Sequence, residues 1–205
     1  FLQIKILKHI WGVYLTKKIV YEFKPFIKII KENYQNRYER RINFHQIYLQ
    51  NSVMVIVQDK NNRILFLNEY RRGLKKMSLG FPGGNIEKKE KPIQAVKREL
   101  LEETGFVAKN WKLLFTYSRH GSYNCGKDYI FFAKNIKKIK PEKKIENIKK
   151  IWMDNKKIIN KLNRNKFETS GVLSTVLFYL FKKIWLINYK NDLIVKLYEF
   201  WRIYI

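Results

Sequence analysis

Between Gly84 and Phe106 the chain gathers three glutamates, Glu99, Glu102 and Glu103, at spacing i, i+3, i+4. On an α-helix that spacing sets all three side chains on one face. The surrounding residues ask for a helix. Pro92 suits the first turn, where its missing N–H costs little. Ile93, Val96, Leu100 and Leu101 recur at helical spacing, and Gly105 stands where a C-terminal glycine belongs. The segment therefore predicts a helix over 92–104 that crowds three carboxylates together. Such crowding is self-repelling. A hard divalent cation with a preference for oxygen ligands removes the conflict. The plainer reading, a solvated acidic face, weakens when composition is considered. The chain has only 17 acidic against 43 basic residues, yet a dense group of its acids sits here.

The pattern around the helix narrows the reading. Gly84, Glu90, Arg98-Glu99-Leu100-Leu101-Glu102-Glu103-Thr104-Gly105-Phe106 follow G-x5-E-x7-R-E-U-x-E-E-x-G-U, where U is a bulky apolar residue. Every fixed position matches, with Phe106 aromatic where an aliphatic is usual. The segment resembles the Nudix box. That resemblance implies an α+β Nudix fold, a mixed β-sheet sandwiched between helices. It implies Mg²⁺ (or Mn²⁺) and attack of water on a diphosphate. By position, Glu99, Glu102 and Glu103 would be metal ligands, Glu102 and Glu103 also catalytic. Gly84, Glu90, Arg98 and Gly105 would be supporting residues, Arg98 pairing with Glu90.

The resemblance reaches further, across residues 20–182. Glu69-Tyr70-Arg71 and Gly80-Phe81-Pro82-Gly83-Gly84 are similar to the Q-Y-R and E-L-P-A-G pattern of ADP-ribose and nucleoside-diphosphate-sugar pyrophosphatases. The analogy makes the Gly83 carbonyl a metal ligand and Arg71 a substrate contact, with a surface salt bridge as the plain alternative for Arg71. Glu146-Asn147-Ile148 resembles a late E-x-I of the same group, which makes Glu146 a catalytic candidate and nearby Glu142 its competitor. Two departures bear on substrate. Gly80 stands where Glu is usual, and the loop near Ser118-Arg119-His120-Gly121 lacks a proline. His120 and Tyr123 in that loop are candidates to stack on or bond a base, against the alternative of an ordinary polar loop.

Three regions are expected: a strand-rich segment 1–50, which the resemblance implies is a dimerisation element; a Nudix domain 51–182; and a basic, aromatic tail 183–205. Strands are expected at Ile19–Phe23, Phe26–Ile30 and Asn43–Leu49. Val53–Val57 and Arg63–Leu67 read as a hairpin around the turn Asp59-Lys60-Asn61-Asn62. Phe81–Gly84 reads as a loop breaker, Trp111–Tyr117, Tyr129–Ala133 and Ile148–Met153 as strands, and the chain from Lys156 as helical.

The expected reaction is hydrolysis of the diphosphate in a nucleoside diphosphate derivative, ADP-ribose or a nucleotide sugar, giving a nucleoside monophosphate and a sugar phosphate. Nucleoside triphosphates and dinucleoside polyphosphates are the enzymatic alternative. A non-catalytic RNA-associated protein is the alternative from another class, prompted by a net charge of +26. Lysine, isoleucine and asparagine are spread through the whole chain, which fits compositional drift better than a nucleic-acid surface, and no RNA-binding motif is present. The single cysteine, Cys125, allows no internal disulfide and fits a reducing compartment. Phe1–Tyr21 is broken by lysines, and Val172–Phe181 is about half the ~20 residues a spanning helix needs. A cytoplasmic protein with no membrane partner is therefore expected, and the resemblance implies a homodimer.

Overall fold

The computed structural model describes residues 13–24, 27–35, 41–139 and 148–190. They divide into two compact units, one drawn from the described residues up to 54 with 83–99 and 112–131, the other from 55–82, 100–111 and the described residues after 131.

The first unit holds a three-stranded antiparallel meander. Strand β1 (Val13–Phe23) pairs with β2 (Ile27–Gln35), and β2 with β3 (Arg41–Leu49). The β-branched and aromatic residues of these segments favour a pleated surface. Few of their described side chains are buried. Ile30 is covered, whereas Ile19, Val20, Tyr21 and Phe23 are about half exposed. The expected strands are present and run longer than their apolar cores suggested.

β4 (Ser52–Val57) begins in this unit and pairs antiparallel with the short β7 (Gly83–Asn85), Val53 opposite Gly84. With β8 (Phe106–Ser118) and β9 (Lys127–Lys138) it makes a four-stranded sheet in the order β7-β4-β9-β8. The expected loop at Phe81–Gly84 is thus partly strand. Gly83 and Gly84 lack side chains, and that lets their backbone join β4.

In the second unit, β5 (Ile64–Arg71) is the centre of an antiparallel sheet β10-β5-β6, flanked by β6 (Lys76–Gly80) and β10 (Ile148–Met153). The expected β4–β5 hairpin is corrected here. The turn forms as read, with Asp59 Oδ1 accepting the amides of Asn61 and Arg63 at 2.9 and 2.8 Å. A single bridge, Gln58 to Ile64, joins the arms, which then enter different sheets. Val55–Val57 and Ile64–Leu67 are all buried. Strands covered on both faces need a neighbour on each edge, and each arm finds two elsewhere. Phe66 stacks obliquely on Phe81 and Phe167, with ring centroids 4.7 and 5.5 Å away. Two helices follow, numbered after the acidic helix α1 (Pro92–Thr104). In α2 (Asn155–Asn163), Asp154 caps the N-terminus by accepting the Lys157 amide at 2.8 Å. α3 (Ser170–Lys190) buries Val172, Val176 and Leu180, one per turn.

Candidate active site

Helix α1 forms where the sequence places it. Gln94 Oε1 reaches back to the Lys91 amide at 2.9 Å, half of a capping box. At the far end Gly105 adopts φ 74° and donates to the Leu101 carbonyl at 2.9 Å. Ala95, Val96 and Leu100 are fully buried. That anchors the helix and leaves Glu99, Glu102 and Glu103 half-buried rather than free in solvent.

A guanidinium organises the entrance to this helix. Arg98 Nε and Nη2 donate to the two oxygens of Glu90, both at 3.0 Å, a fork that fixes both planes. Arg98 Nη1 donates to Glu99 Oε1 at 2.9 Å, and Nη2 also donates to the Asn85 carbonyl at 3.0 Å. Glu90 in turn accepts the Glu87 amide at 2.9 Å, closing the turn before the helix. The bonds from Arg98 hold the Glu90 carboxyl below its usual range, with the Glu87 amide adding to the effect against some burial. The two glutamates push the Arg98 guanidinium further toward its charged form, Glu90 most strongly.

A Cβ on Gly84 would fall on the end of the Glu99 side chain and push its carboxyl group away, so this placement of the carboxylate goes with a glycine there. A Cβ on Gly83 would collide with the Val53 carbonyl and lie 2.9 Å from Met54 Cα. Both glycines therefore let backbone and carboxylate come close together. Among the described residues no group of three or more His, Cys, Asp or Glu side chains is placed so that it could hold a metal ion. The donor set nevertheless suits a hard cation that keeps several waters and takes one or two carboxylates. Glu99 lies against the Gly84 backbone in space that only a glycine leaves, and Glu102 and Glu103 lie on the same helix face.

In the second unit, Arg71 Nη2 pairs with Glu69 Oε1 at 2.5 Å, with about half of the arginine side chain exposed. Gly80 makes room for it, since a Cβ there would stand 3.2 Å from Arg71 Nη2. The departure from Glu to Gly at this position thus has a structural consequence.

The loop carrying His120 and Tyr123 belongs to the first unit. The two rings lie 4.6 Å apart, and Tyr123 stacks at 6.3 Å and 9° on Phe44 of β3. The Ile47 amide donates to the Tyr123 carbonyl at 2.7 Å. The base of the loop is tied by Arg119, whose Nε meets Asp128 Oδ1 at 2.7 Å and whose Nη2 donates to the Gln50 carbonyl at 2.6 Å. Ser52 Oγ also donates to Asp128.

Residues 48–172 match the NUDIX domain family. The chain belongs to the Nudix family. Among its relatives, a methanol dehydrogenase activator from Bacillus methanolicus is 30% identical over 87 residues, 42% of this chain and 47% of that protein. An ADP-ribose pyrophosphatase from Bacillus subtilis is 23% identical over 95 residues, 46% of this chain and 51% of that one. The chain spans about half the length of these curated relatives. A crystal structure of an ADP compounds hydrolase superposes with a TM-score of 0.75 at 20% identity, covering 87% of this chain and 95% of the other. That likeness establishes the α+β Nudix fold.

The Nudix box residues Gly84, Glu90, Arg98 and Glu99 meet in one cluster of contacts. Glu102, Glu103 and Gly105 continue the same helix to its end. Glu142 and Glu146 lie outside the described residues. Sequence reasoning missed Phe44, Arg119 and Asp128. The only sequence signal was Asp128, a lone acid between a loop and an apolar run; Phe44 is separated from Tyr123 by most of the Nudix domain, and nothing local links them. Cys125 is half-buried. Among the described residues no helix is long and apolar enough to cross a membrane.

Proposed function

We propose that this Nudix protein is a divalent-metal-dependent pyrophosphohydrolase acting on a nucleoside diphosphate joined to a second group, ADP-ribose or a nucleotide sugar first among them. The observation that carries the reading is the Arg98 fork on Glu90 and Glu99, set against a glycine that leaves room for the Glu99 carboxylate. A purely solvated acidic face would need neither the bound arginine nor the vacated space.

Glu99, Glu102, Glu103 and the Gly83 carbonyl would hold Mg²⁺ or Mn²⁺. Such an ion, when bound, neutralises pyrophosphate charge and makes water easier to ionise. Arg98 neutralises part of the acidic cluster and fixes the Glu99 rotamer, so that the carboxylate is positioned before any substrate arrives. Glu146, with Glu102 and Glu103, is the proposed set from which one carboxylate takes the proton of the attacking water. Arg71 is the proposed phosphate contact, and Glu69 orients its guanidinium. The stacked His120, Tyr123 and Phe44 rings offer an aromatic surface for the base. The exposed apolar residues of β1 are the proposed homodimer surface, since contiguous exposed apolar patches mark association sites.

The test is a Mg²⁺-dependent hydrolysis screen over ADP-ribose, nucleotide sugars, dinucleoside polyphosphates and nucleoside triphosphates, with Glu102→Gln run beside the native chain. Turnover of a diphosphate-linked substrate is expected to fall by about 10²–10⁴ in the variant, with an unchanged circular dichroism spectrum. No metal-dependent turnover on any member of the panel would sink the reading.

A further inference from the structure

In the unit built on β10-β5-β6, a cavity of about 520 Å³ opens beside the outer strand β6. Its apolar wall comes from Leu79 of β6 and from Ile151 and Met153 of β10, with the exposed Met77 beside them. A second cavity of about 300 Å³ shares Ile151, Met153 and Lys161 with the first, so the two form one groove along α2.

The charges around this groove are unbalanced. Lys161 serves both cavities; Lys157 and Arg164 line the smaller and Lys166 the larger. Lys157 and Lys161 stand one turn apart on α2. The Lys166 amide donates to the Lys161 carbonyl at 3.0 Å, which folds the chain back after the helix and puts both lysines on one cavity. The acid on this wall, Glu168, is taken by Lys76 at 2.7 Å. Among the described residues Lys157, Lys161 and Arg164 form no ion pair with an acid. Ser78 lines the same cavity, is 4% exposed, and its hydroxyl lies beside the Glu168 carboxylate.

In a chain of net charge +26, surface lysines alone mean little. Here they coincide with a concave apolar wall and outnumber the acid that lines it, Glu168. We propose that this groove is a second ligand site, for a nucleoside monophosphate, with the phosphate at Lys161 and its neighbours and the ring against Leu79, Ile151 and Met153. Lysine ammonium groups bind phosphate as point charges, and methionine sulfur makes favourable contacts with aromatic rings. The volume falls within the ~300–1,000 Å³ usual for small-molecule sites. A single-stranded nucleic acid would want aromatic platforms for successive bases, and among the described residues Trp152 is the one aromatic that lines this groove. The site uses none of the acidic-box residues and does not depend on the proposed hydrolysis.

The experiment is photo-crosslinking of the full chain with 8-azido-AMP at physiological ionic strength, with the labelled peptides mapped by mass spectrometry. Saturable labelling is expected on peptides holding Met77–Leu79 or Ile151–Lys166. It should drop at least about tenfold, roughly 1.4 kcal/mol, in Lys161→Ala/Lys166→Ala. It should persist in Glu102→Gln and in the charge-matched control Lys60→Ala/Lys112→Ala. If the double variant does not fold, Lys161→Gln alone carries the same expectation. Labelling confined to other peptides, or equal loss in the control, overturns the proposal. Competition by inorganic phosphate as strong as by AMP removes the nucleotide, and competition by single-stranded RNA but not AMP replaces it with a nucleic acid.

Discussion

Arg98 joins Glu90, Glu99 and the Asn85 carbonyl through one planar group. Of these contacts, the one with Glu90 should be visible in pH titration. The carboxyl of Glu90 has a folded-state pKa below its ordinary 4.5, because the Arg98 bonds favour its charged form. A group depressed on folding adds stability above its unfolded pKa, and that stability is lost as pH falls through the lower folded value. Thermal melts of the native chain and Glu90→Gln should therefore differ by a constant margin at neutral pH. The margin should shrink once pH drops below about 4.5 and vanish in stronger acid. A margin independent of pH would mean that the glutamate acts through packing and not through charge.

The short strand β7 and helix α1 depend on close approach. Gly83 faces the backbone of β4, which cannot yield, whereas Gly84 faces the end of the Glu99 side chain, which can. The two substitutions should therefore separate stability from activity. Gly83→Ala is expected to destabilise the fold by about 1–3 kcal/mol, the usual range for an overpacked site. Gly84→Ala should leave the melting temperature within a few degrees and cut kcat much more, because it moves the Glu99 carboxylate. Denaturant melts and steady-state kinetics on both variants decide the matter; equal losses of stability in the two would contradict it. The parting of β4 and β5 into different sheets follows the same logic of neighbours, since Val55–Val57 and Ile64–Leu67 are buried and each strand has a partner on both edges.

For the whole molecule, charge is the dominant property. With +26 net, an anionic substrate of the proposed activity would be drawn in from a distance, with the attraction screened by salt over ~8–10 Å at physiological ionic strength. Under the proposed activity, kcat/KM for a diphosphate substrate should fall several-fold as ionic strength rises from about 0.02 to about 0.3 M at fixed Mg²⁺, while kcat at saturation stays nearly level. A flat kcat/KM would show that the lysines are compositional background with no part in substrate capture.

Local rules were enough to place α1, its proline start and its glycine end, and the glutamates on one helix face, because helical spacing and capping act over a few residues. They also placed Ile148–Met153 as a strand and the Arg98–Glu90 pair. Tertiary structure decided everything that joins distant segments. It added Glu99 to the grip of Arg98, turned Gly83–Asn85 into a strand against β4, and brought Phe44 to Tyr123. It tied Arg119 to the Gln50 carbonyl across 69 positions of sequence. Strand pairing and side-chain contacts between remote residues depend on which surfaces the folded chain must cover, and no local pattern encodes that choice.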